Sequence, residues 1–219
     1  MRKIVAAVFM SLDGIMQAPG GPDEDRRGGF DYGGWVFTYS DNEFGESLNE
    51  LFAQPYDLLL GKRTYDIFNA YWPYNGNIEP GAEFNRTRKY VATHHPDTLS
   101  WNNSEWLGED PTARLAELKR GDGAMLLTQG SAGLVHQLLA ADLVDELMLM
   151  TFPIVLGKGV RFFDETSTPR AFKVASSRIT SSGIVVARYE KHGKVETGSF
   201  PTGEPSKAEL ERRRTWPLA

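Results

Sequence analysis

Apolar residues along the chain are concentrated in short runs, and most of these runs predict strands that are buried on both faces of a sheet. A continuous apolar run of this length, bounded by glycine or polar residues, is typical of such a strand. We predict strands within KIVAAVFMSLDG (3–14), residues 58–60, RKYVATHHP (88–96), residues 124–128 and DELMLMTFPIVLG (145–157), the last interrupted by Pro153.

Amphipathic segments with recognisable start and stop residues lie between these strands and predict helices. Ser40 and Glu43 have the spacing of a capping box ahead of an apolar stripe. Asp110 stands at an N-cap position, followed by Pro111 at the first helical position, and Gly121 marks the stop. Two further helices are predicted directly after strands, one that begins near Thr64 and one over residues 131–140.

Strands that alternate with helices predict an α/β fold with a mostly parallel sheet. The segment FKVASSRITSSGIVVARYEKH (172–192) alternates in the manner of an antiparallel pair, which we expect at the sheet edge. We therefore assign one domain to residues 1–192. Residues 193–219 form a polar C-terminal tail with a short helix candidate capped by Ser206 and Glu209, either a partly ordered terminus or an arm across a partner subunit.

Composition narrows the possible functions. With 219 residues and 41% hydrophobic residues, the chain has enough material for one sizeable core. It has no cysteine, which excludes disulfides, thiol nucleophiles and zinc sites built on cysteine. A formal net charge of -5 argues against a general nucleic-acid surface, and no apolar run approaches the length of a membrane span. We expect a cytoplasmic protein with neither nucleic acid nor membrane as a partner.

Two glycine-bearing turns follow predicted strands and have the chemistry of an anion site. They are Gly61-Lys62-Arg63-Thr64 and the sequence Gln-Gly-Ser-Ala-Gly at 129–133. Ligands of open α/β sheets collect at the carboxyl ends of the strands, where helix N-termini present free N–H groups. Close packing of strand against helix explains the second turn equally well. A P-loop is excluded because Tyr56 stands where that motif needs glycine, and no G-x-G-x-x-G follows the first strand.

The end of the third predicted strand adds polar groups. Thr93 and His94, together with Arg86, Arg88 and Lys89 upstream, could bind the 2′-phosphate that distinguishes NADPH from NADH if they face the same crevice as Lys62. A solvated strand end is the alternative. No metal site is expected here, because adjacent histidines on a strand point to opposite faces.

Four segments together resemble one family, the dihydrofolate reductase-like proteins of the RibD C-terminal domain type, which are bacterial riboflavin-pathway reductases. They are VAAVFMSLDGIM, DLLLGKRTYDIF, KYVATHHP and LLTQGSAGLVHQLLAADLVDELMLMTFPIVLGKGVRFF, and the similarity extends from about Lys3 to about Tyr189. The resemblance implies a three-layer fold, with a twisted, mostly parallel sheet, an antiparallel C-terminal edge and helices on both faces. It also implies bound NADPH and a homodimer.

The resemblance assigns the cofactor to three places in this sequence. It places Gly61, Lys62, Arg63 and Thr64 near the cofactor phosphates, and Thr93 and His94 near the 2′-phosphate. It places Gly130, Ser131 and Ala132 under the pyrophosphate and nicotinamide, with Ser131 as a potential cap of the following helix.

The sequence departs from the pattern at two points. Gln129 replaces the first glycine of the usual Gly-Gly turn, and no acidic residue can be matched to the one that holds the pterin ring in dihydrofolate reductases. The candidates on the helix after the first strand are Asp41, Glu43, Glu46 and Glu50.

The remaining candidates concern substrate and reaction. Asp13 and Ser11, at the end of the first strand, are the predicted catalytic groups, although an Asp-Gly pair is also a common turn. A long glycine-rich loop leads into Trp35, Phe37 and Tyr39. Together with Trp72 of the later YWP segment, these aromatic residues suit either a flat heterocycle or a core.

We predict an NADPH-dependent oxidoreductase that reduces a pterin-like, pyrimidine or riboflavin-precursor molecule of the 5-amino-6-(5-phosphoribosylamino)uracil type. No zinc deaminase signature accompanies it. The alternative is a nucleotide-binding or regulatory protein without turnover.

Overall fold

The computed structural model describes residues 1–199 and 203–216, and an eight-stranded sheet forms its centre. The strands are β1 (Ile4–Ser11), β2 (Tyr56–Gly61), β3 (Lys89–Ala92), β4 (Ser104–Trp106), β5 (Met125–Gln129), β6 (Glu146–Phe152), β7 (Phe172–Ile179) and β8 (Val185–Lys191). The helices are α1 (Trp35–Tyr39), α2 (Asn42–Phe52), α3 (Lys62–Tyr71), α4 (Gly81–Arg86), α5 (Pro111–Arg120), α6 (Ala132–Ala140) and α7 (Lys207–Thr215).

The strand order is β4-β3-β2-β5-β1-β6-β8-β7, and the first six strands of this order run parallel. The β7–β8 hairpin adds two antiparallel strands at one edge. This arrangement confirms the predicted fold class. The chain travels outward from β1 to β4 and returns to insert β5 between β1 and β2, so the carboxyl ends of these three strands are neighbours.

Apolar residues cover both faces of the sheet, as the continuous apolar run of β1 predicts. One core contains Val5 and Ala7 of β1 with side chains of α1 to α4, and the other contains Ile4, Ala6 and Val8 with side chains of α5 and α6. Burying each valine or isoleucine side chain of this kind stabilises the fold by about 1.5–3 kcal/mol. The result is the expected three-layer structure.

The capping residues predicted from the sequence are correct for several helix ends and wrong for one. The Asp110 side chain accepts a hydrogen bond from Ala113 N at the start of α5, as predicted. The capping box at Ser40 is wrong, because α1 ends at Tyr39 and Ser40 donates back to Val36 O. Asp41 caps α2 instead, accepting from Phe44 N at 2.8 Å.

The C-terminal tail contains the predicted short helix. Ser206 Oγ accepts from Glu209 N at 3.2 Å and caps α7. The carboxylate of Glu209 does not complete a capping box, because it pairs with Arg212 and Arg213. No helix within residues 1–199 and 203–216 is long and apolar enough to cross a membrane.

Candidate functional site

The two glycine-bearing turns meet at the carboxyl ends of β2 and β5. Gly61 N donates a hydrogen bond of 3.0 Å to Ser131 Oγ, and Ser131 Oγ donates one of 2.9 Å to Thr64 Oγ1. Because β2 and β5 are adjacent parallel strands, residues about 70 positions apart come into direct contact here. The convergence that the sequence analysis required is therefore present.

Each turn begins a helix whose N-terminus has no side-chain cap. Gly61 is the N-cap residue of α3 and Ser131 that of α6. The prediction that Ser131 caps α6 is wrong, because its hydroxyl is directed across to Gly61 and Thr64, while its backbone adopts a left-handed conformation at φ 55°. The first N–H groups of both helices, aided by the helix dipoles, are suited to bind anions.

Gly130 keeps the space above this junction open. Its φ is +75°, a conformation that favours glycine. A Cβ at this position would lie 3.4 Å from Met16 Cε and 3.9 Å from Thr64 Oγ1. An added side chain would therefore contact both the apolar end of Met16 and the Thr64 hydroxyl, and the positive φ would strain it.

Thr93 and His94 follow β3 at the same edge of the sheet, where Ala92 pairs in register with Gly61. Thr93 is buried, and its Oγ1 accepts a hydrogen bond from His95 N at 2.9 Å. Its carbonyl oxygen accepts another from Trp106 Nε1 at 2.8 Å. His94 is exposed. The fold thus fixes Thr93 next to the first glycine turn and leaves the His94 side chain open to solvent.

The cations near the first turn are not equally available. Lys62 Nζ contacts both carboxylate oxygens of Asp66, at 2.5 and 2.7 Å, one helical turn later. Arg63 is exposed. Its positive charge helps to lower the pKa of Asp25, after the larger effect of hydrogen bonds from Arg27. Arg63 is therefore the more readily recruited partner for an incoming anion.

Three cations proposed for the same crevice belong to the opposite end of β3. Lys89 is the first residue of that strand and is fully buried, and Arg88 donates to Tyr90 Oη and lies 3.7 Å from Glu105. Arg86 and Arg88 line a separate polar pocket of about 430 Å³. The idea that they face Lys62 is wrong, because a parallel strand places its two ends at opposite edges of the sheet.

Asp13 holds the segment that follows β6 against the end of β1. Its carboxylate accepts hydrogen bonds from Ser11 Oγ at 2.6 Å, from Leu156 N at 3.1 Å and from Gly157 N at 2.9 Å. Desolvation opposes the charged form, but these hydrogen bonds outweigh it and lower the pKa of Asp13. The group is therefore ionised at neutral pH and is not a proton donor there.

The four aromatic candidates do not form one wall. Trp35 is 5% exposed, donates from Nε1 to Gln17 O and packs edge-on against Phe152 at 5.1 Å. Trp72 packs against the same core but has other aromatic neighbours, with its ring 5.3 Å from that of Phe84. Tyr39 packs partly buried against the core, whereas Phe37 is 72% exposed. Their contact with a substrate stays a prediction.

The acidic residues of α2 bind the β7–β8 hairpin. Asp41 accepts from Ser182 N at 2.8 Å, and Glu43 accepts from Ser181 Oγ at 2.8 Å. Glu50 pairs with Arg178 at 3.1 Å, and Glu46 lies 3.9 Å from the same guanidinium. Each of these carboxylates thus has a partner within the protein, and none of them needs a pterin ligand to explain its presence.

Gln17 holds the glycine-rich loop in place through hydrogen bonds. This residue was not identified from the sequence. This buried side chain donates to Asp25 O and Arg27 O at 3.0 Å each and accepts from Val160 N at 2.9 Å. A pocket of about 230 Å³ lies beside it, lined by Gln17, Arg27, Gly28, Phe30, Lys158, Gly159 and Val160. A single glutamine in a loop carries no sequence signal for this role.

The described ranges contain no cluster of three or more His, Asp or Glu residues that could hold a metal ion. The groups that the two turns bring together are backbone N–H groups, the hydroxyls of Ser131 and Thr64 and the cations Lys62 and Arg63.

This sheet order, with glycine turns converging at its carboxyl edge, defines a dihydrofolate reductase-like fold. The chain belongs to the RibD C-terminal domain family, a reductase-type family whose model matches residues 2–186. It is 24% identical over 196 residues to the uncharacterised protein YyaP of Bacillus subtilis, covering 88% of this chain and 96% of YyaP.

Two solved structures have the same fold. One is a diaminohydroxyphosphoribosylaminopyrimidine deaminase/5-amino-6-(5-phosphoribosylamino)uracil reductase from Thermotoga maritima, with a TM-score of 0.57 and 16% identity over 87% of this chain and 57% of that one. The other is dihydrofolate reductase from Enterococcus faecalis complexed with NADP(H), with a TM-score of 0.54 and 14% identity over 89% of this chain and 97% of that one.

Proposed function

We propose that the protein is an NADPH-dependent reductase of a small heterocyclic molecule. The observation that carries this proposal is the hydroxyl of Ser131, which joins the uncapped N-termini of α3 and α6 by contacts of 3.0 Å to Gly61 N and 2.9 Å to Thr64 Oγ1. Two adjacent anion-binding helix ends match the two phosphates of a dinucleotide.

The residues present fit the cofactor. The missing side chain at Gly130 leaves a cradle between Met16 Cε and Thr64 Oγ1 that a Cβ would narrow. In the proposed complex, N–H groups at the starts of α3 and α6 bind the pyrophosphate, and exposed Arg63 supplies a cation. Thr93 and His94, which follow the strand beside Gly61, would hold the 2′-phosphate. When bound, the cofactor supplies the hydride.

The protein residues then position the substrate. Asp13, ionised at neutral pH, presents negative charge at the end of β1 and favours substrates that donate hydrogen bonds, such as aminopyrimidines and pterins. Because Asp13 is ionised, it does not supply the proton that the reduction takes up, and we assign that proton to water. A riboflavin-precursor uracil remains within this class, as suggested by the Thermotoga maritima reductase of the same fold.

The decisive experiment measures binding and turnover separately. The five tryptophans report on titrations with NADPH and NADH, and Trp106 is well placed because its indole donates to Thr93 O. We expect saturable quenching by NADPH and a loss of affinity of about tenfold or more in Gly130→Ala, because the new Cβ fills the cradle. Oxidation of NADPH is then followed against pterins, aminopyrimidines and ribosylaminouracils.

Gly193→Ala is the matched control, since Gly193 also has a positive φ of +86° but, among the described residues, no atom within 4 Å of the added Cβ. It should bind NADPH as the wild type does. Absence of binding to either nucleotide contradicts the proposal. Binding without oxidation by any substrate supports the alternative, a nucleotide-binding protein without turnover.

We also infer that two copies associate through the exposed face of the β7–β8 hairpin. Val174, Ile179 and Val185 share that face and are 57%, 71% and 37% exposed. Exposed apolar side chains gathered on one sheet face favour burial against a second apolar surface, here that of another copy. Sedimentation should give a monomer for Ile179→Lys and a dimer for the wild type. Val155→Lys, at a valine that is 69% exposed but lies outside the hairpin, is the control and should stay a dimer. A monomeric wild type would contradict this inference.

A further inference from the structure

The hydroxyl groups of Ser131 and Thr64 form a relay that begins at a backbone N–H group. Ser131 Oγ accepts a hydrogen bond from Gly61 N. In the second contact Ser131 Oγ is the donor and Thr64 Oγ1 the acceptor. Within the described residues, Thr64 Oγ1 has no other hydrogen-bond partner, and its own proton is left to donate outward.

The free proton of Thr64 adjoins the cradle of the proposed cofactor site. Thr64 Oγ1 lies 3.9 Å from the position that a Cβ of Gly130 would occupy. It is also the third residue of α3, whose N-terminus has no side-chain cap. Next to the N–H groups of the helix start, the Thr64 hydroxyl donates to an acceptor such as a phosphoryl oxygen. A ligand group that can only donate finds no acceptor there.

The backbone conformation of Ser131 is strained for serine, and this strain points to a role for its hydroxyl. Its φ of 55° and ψ of 45° are left-handed, a conformation that costs a non-glycine residue about 1–2 kcal/mol. Glycine would adopt it without that cost and would also leave α6 intact, because the Ser131 side chain does not cap the helix. The hydroxyl, rather than the backbone, is what serine adds at this position.

We propose that Ser131 is a positioning residue that sets the direction of the Thr64 hydroxyl and thereby makes this point of the cradle selective for an anionic phosphoryl oxygen. The inference rests on the proposed NADPH site. It adds that the relay Gly61 N–H to Ser131 O–H to Thr64 O–H acts as a unit, in which Ser131 influences the cofactor only through Thr64.

The test is a double-mutant cycle for NADPH binding, with chemical denaturation of each variant as the second measurement. Ser131→Gly should lower NADPH affinity about tenfold, because the Thr64 donor loses its fixed direction. Its free energy of unfolding should change by less than about 1 kcal/mol, because relief of the left-handed backbone offsets the lost hydrogen bond from Gly61 N. Thr64→Val should lose about the same affinity, whereas Thr64→Ser keeps the hydroxyl and should bind within about twofold of the wild type.

The double variant Ser131→Gly/Thr64→Val tests whether Ser131 acts on NADPH only through Thr64. We expect it to bind NADPH no more weakly than Thr64→Val alone, because Ser131 then has nothing to orient. Losses that multiply in the double variant, or unchanged affinity in Ser131→Gly, would overturn the relay while leaving the cofactor site in place. Failure of the wild type to bind NADPH would instead remove the proposed function itself.

Discussion

Asp13 and Gly157 are joined by a hydrogen bond of 2.9 Å from the glycine N–H to the aspartate carboxylate, across 144 positions of sequence. Together with the bond from Leu156 N, this contact fixes the segment after β6 to the end of β1. The aspartate predicted to act on substrate therefore has a structural task as well, and experiments must separate the two.

Asp13→Asn should weaken this attachment. The amide keeps one acceptor oxygen but directs an N–H₂ group at a backbone donor, so we expect a loss of about 1 kcal/mol in the free energy of unfolding at pH 7. Turnover in the reductase assay should fall while NADPH affinity is nearly retained. Asp122→Asn, at a fully exposed carboxylate, is the control and should change neither quantity.

We also expect the stability difference between the wild type and Asp13→Asn to depend on pH. The pKa of Asp13 is lowered in the folded protein, so its contribution is complete above the ordinary value of 3.8 and disappears as the pH falls through the folded value. The stability difference between wild type and Asp13→Asn should therefore shrink in urea unfolding below pH 3.8. A difference that grows on acidification would contradict the hydrogen bonding described here.

Gly159→Ala tests the packing of the segment after β6. Gly159 has φ +132°, and an added Cβ would lie 2.8 Å from Ile15 Cγ2 and 3.0 Å from Phe30 Cε2. We expect a loss of about 2–4 kcal/mol in thermal or urea unfolding, because both neighbours are fully packed. Gly157→Ala has φ +81° but no neighbour within 4 Å, and it should cost only about 1–2 kcal/mol. Equal losses would show that backbone strain alone is responsible.

Lys89 should make stability rise with pH in the alkaline range. It is 0% exposed, its ammonium donates to the carbonyls of Asn85, Thr87 and Asn102, and burial lowers its pKa from 10.5 to about 8. Between these values the unfolded chain binds the proton more strongly than the folded one, so the free energy of unfolding increases with pH.

Lys89→Met provides the comparison for this effect. It leaves three carbonyl groups without their donor and should lose about 2–4 kcal/mol at pH 7. Because the variant lacks the titrating group, the stability difference from wild type should be larger at pH 9.5 than at pH 7. A difference that is constant with pH would mean that the pKa of Lys89 is not lowered by folding.

Thr128→Val should stabilise the protein by about 1 kcal/mol. Thr128 Oγ1 is buried in β5 and has no hydrogen-bond partner among the described residues, and valine has the same shape without the hydroxyl. Thr180→Val is the matched control, since Thr180 Oγ1 accepts from Ile184 N at 3.2 Å, and it should be destabilising. A loss of stability in Thr128→Val would require an unrecognised partner for its hydroxyl.

The sequence by itself determined the elements and the family, because these depend on local and periodic features. The apolar run of β1 indicated a strand covered on both faces, Asp110 and Gly121 marked the ends of α5, and the alternation after residue 172 indicated the edge hairpin. The glycine turns at 61 and 130 were identified because few residue types suit such close approaches.

Only the tertiary structure decided what individual polar groups do. Lys89 and Lys62 look alike as surface cations near strand ends, yet the direction of β3 buries the first, and Asp66 on α3 pairs with the second. Ser131 has the sequence signature of a helix cap, but the insertion of β5 beside β2 brings Gly61 and Thr64 within reach of its hydroxyl. A hydrogen bond is decided by distances of a few tenths of an ångström, and these arise from the packing of segments remote in sequence.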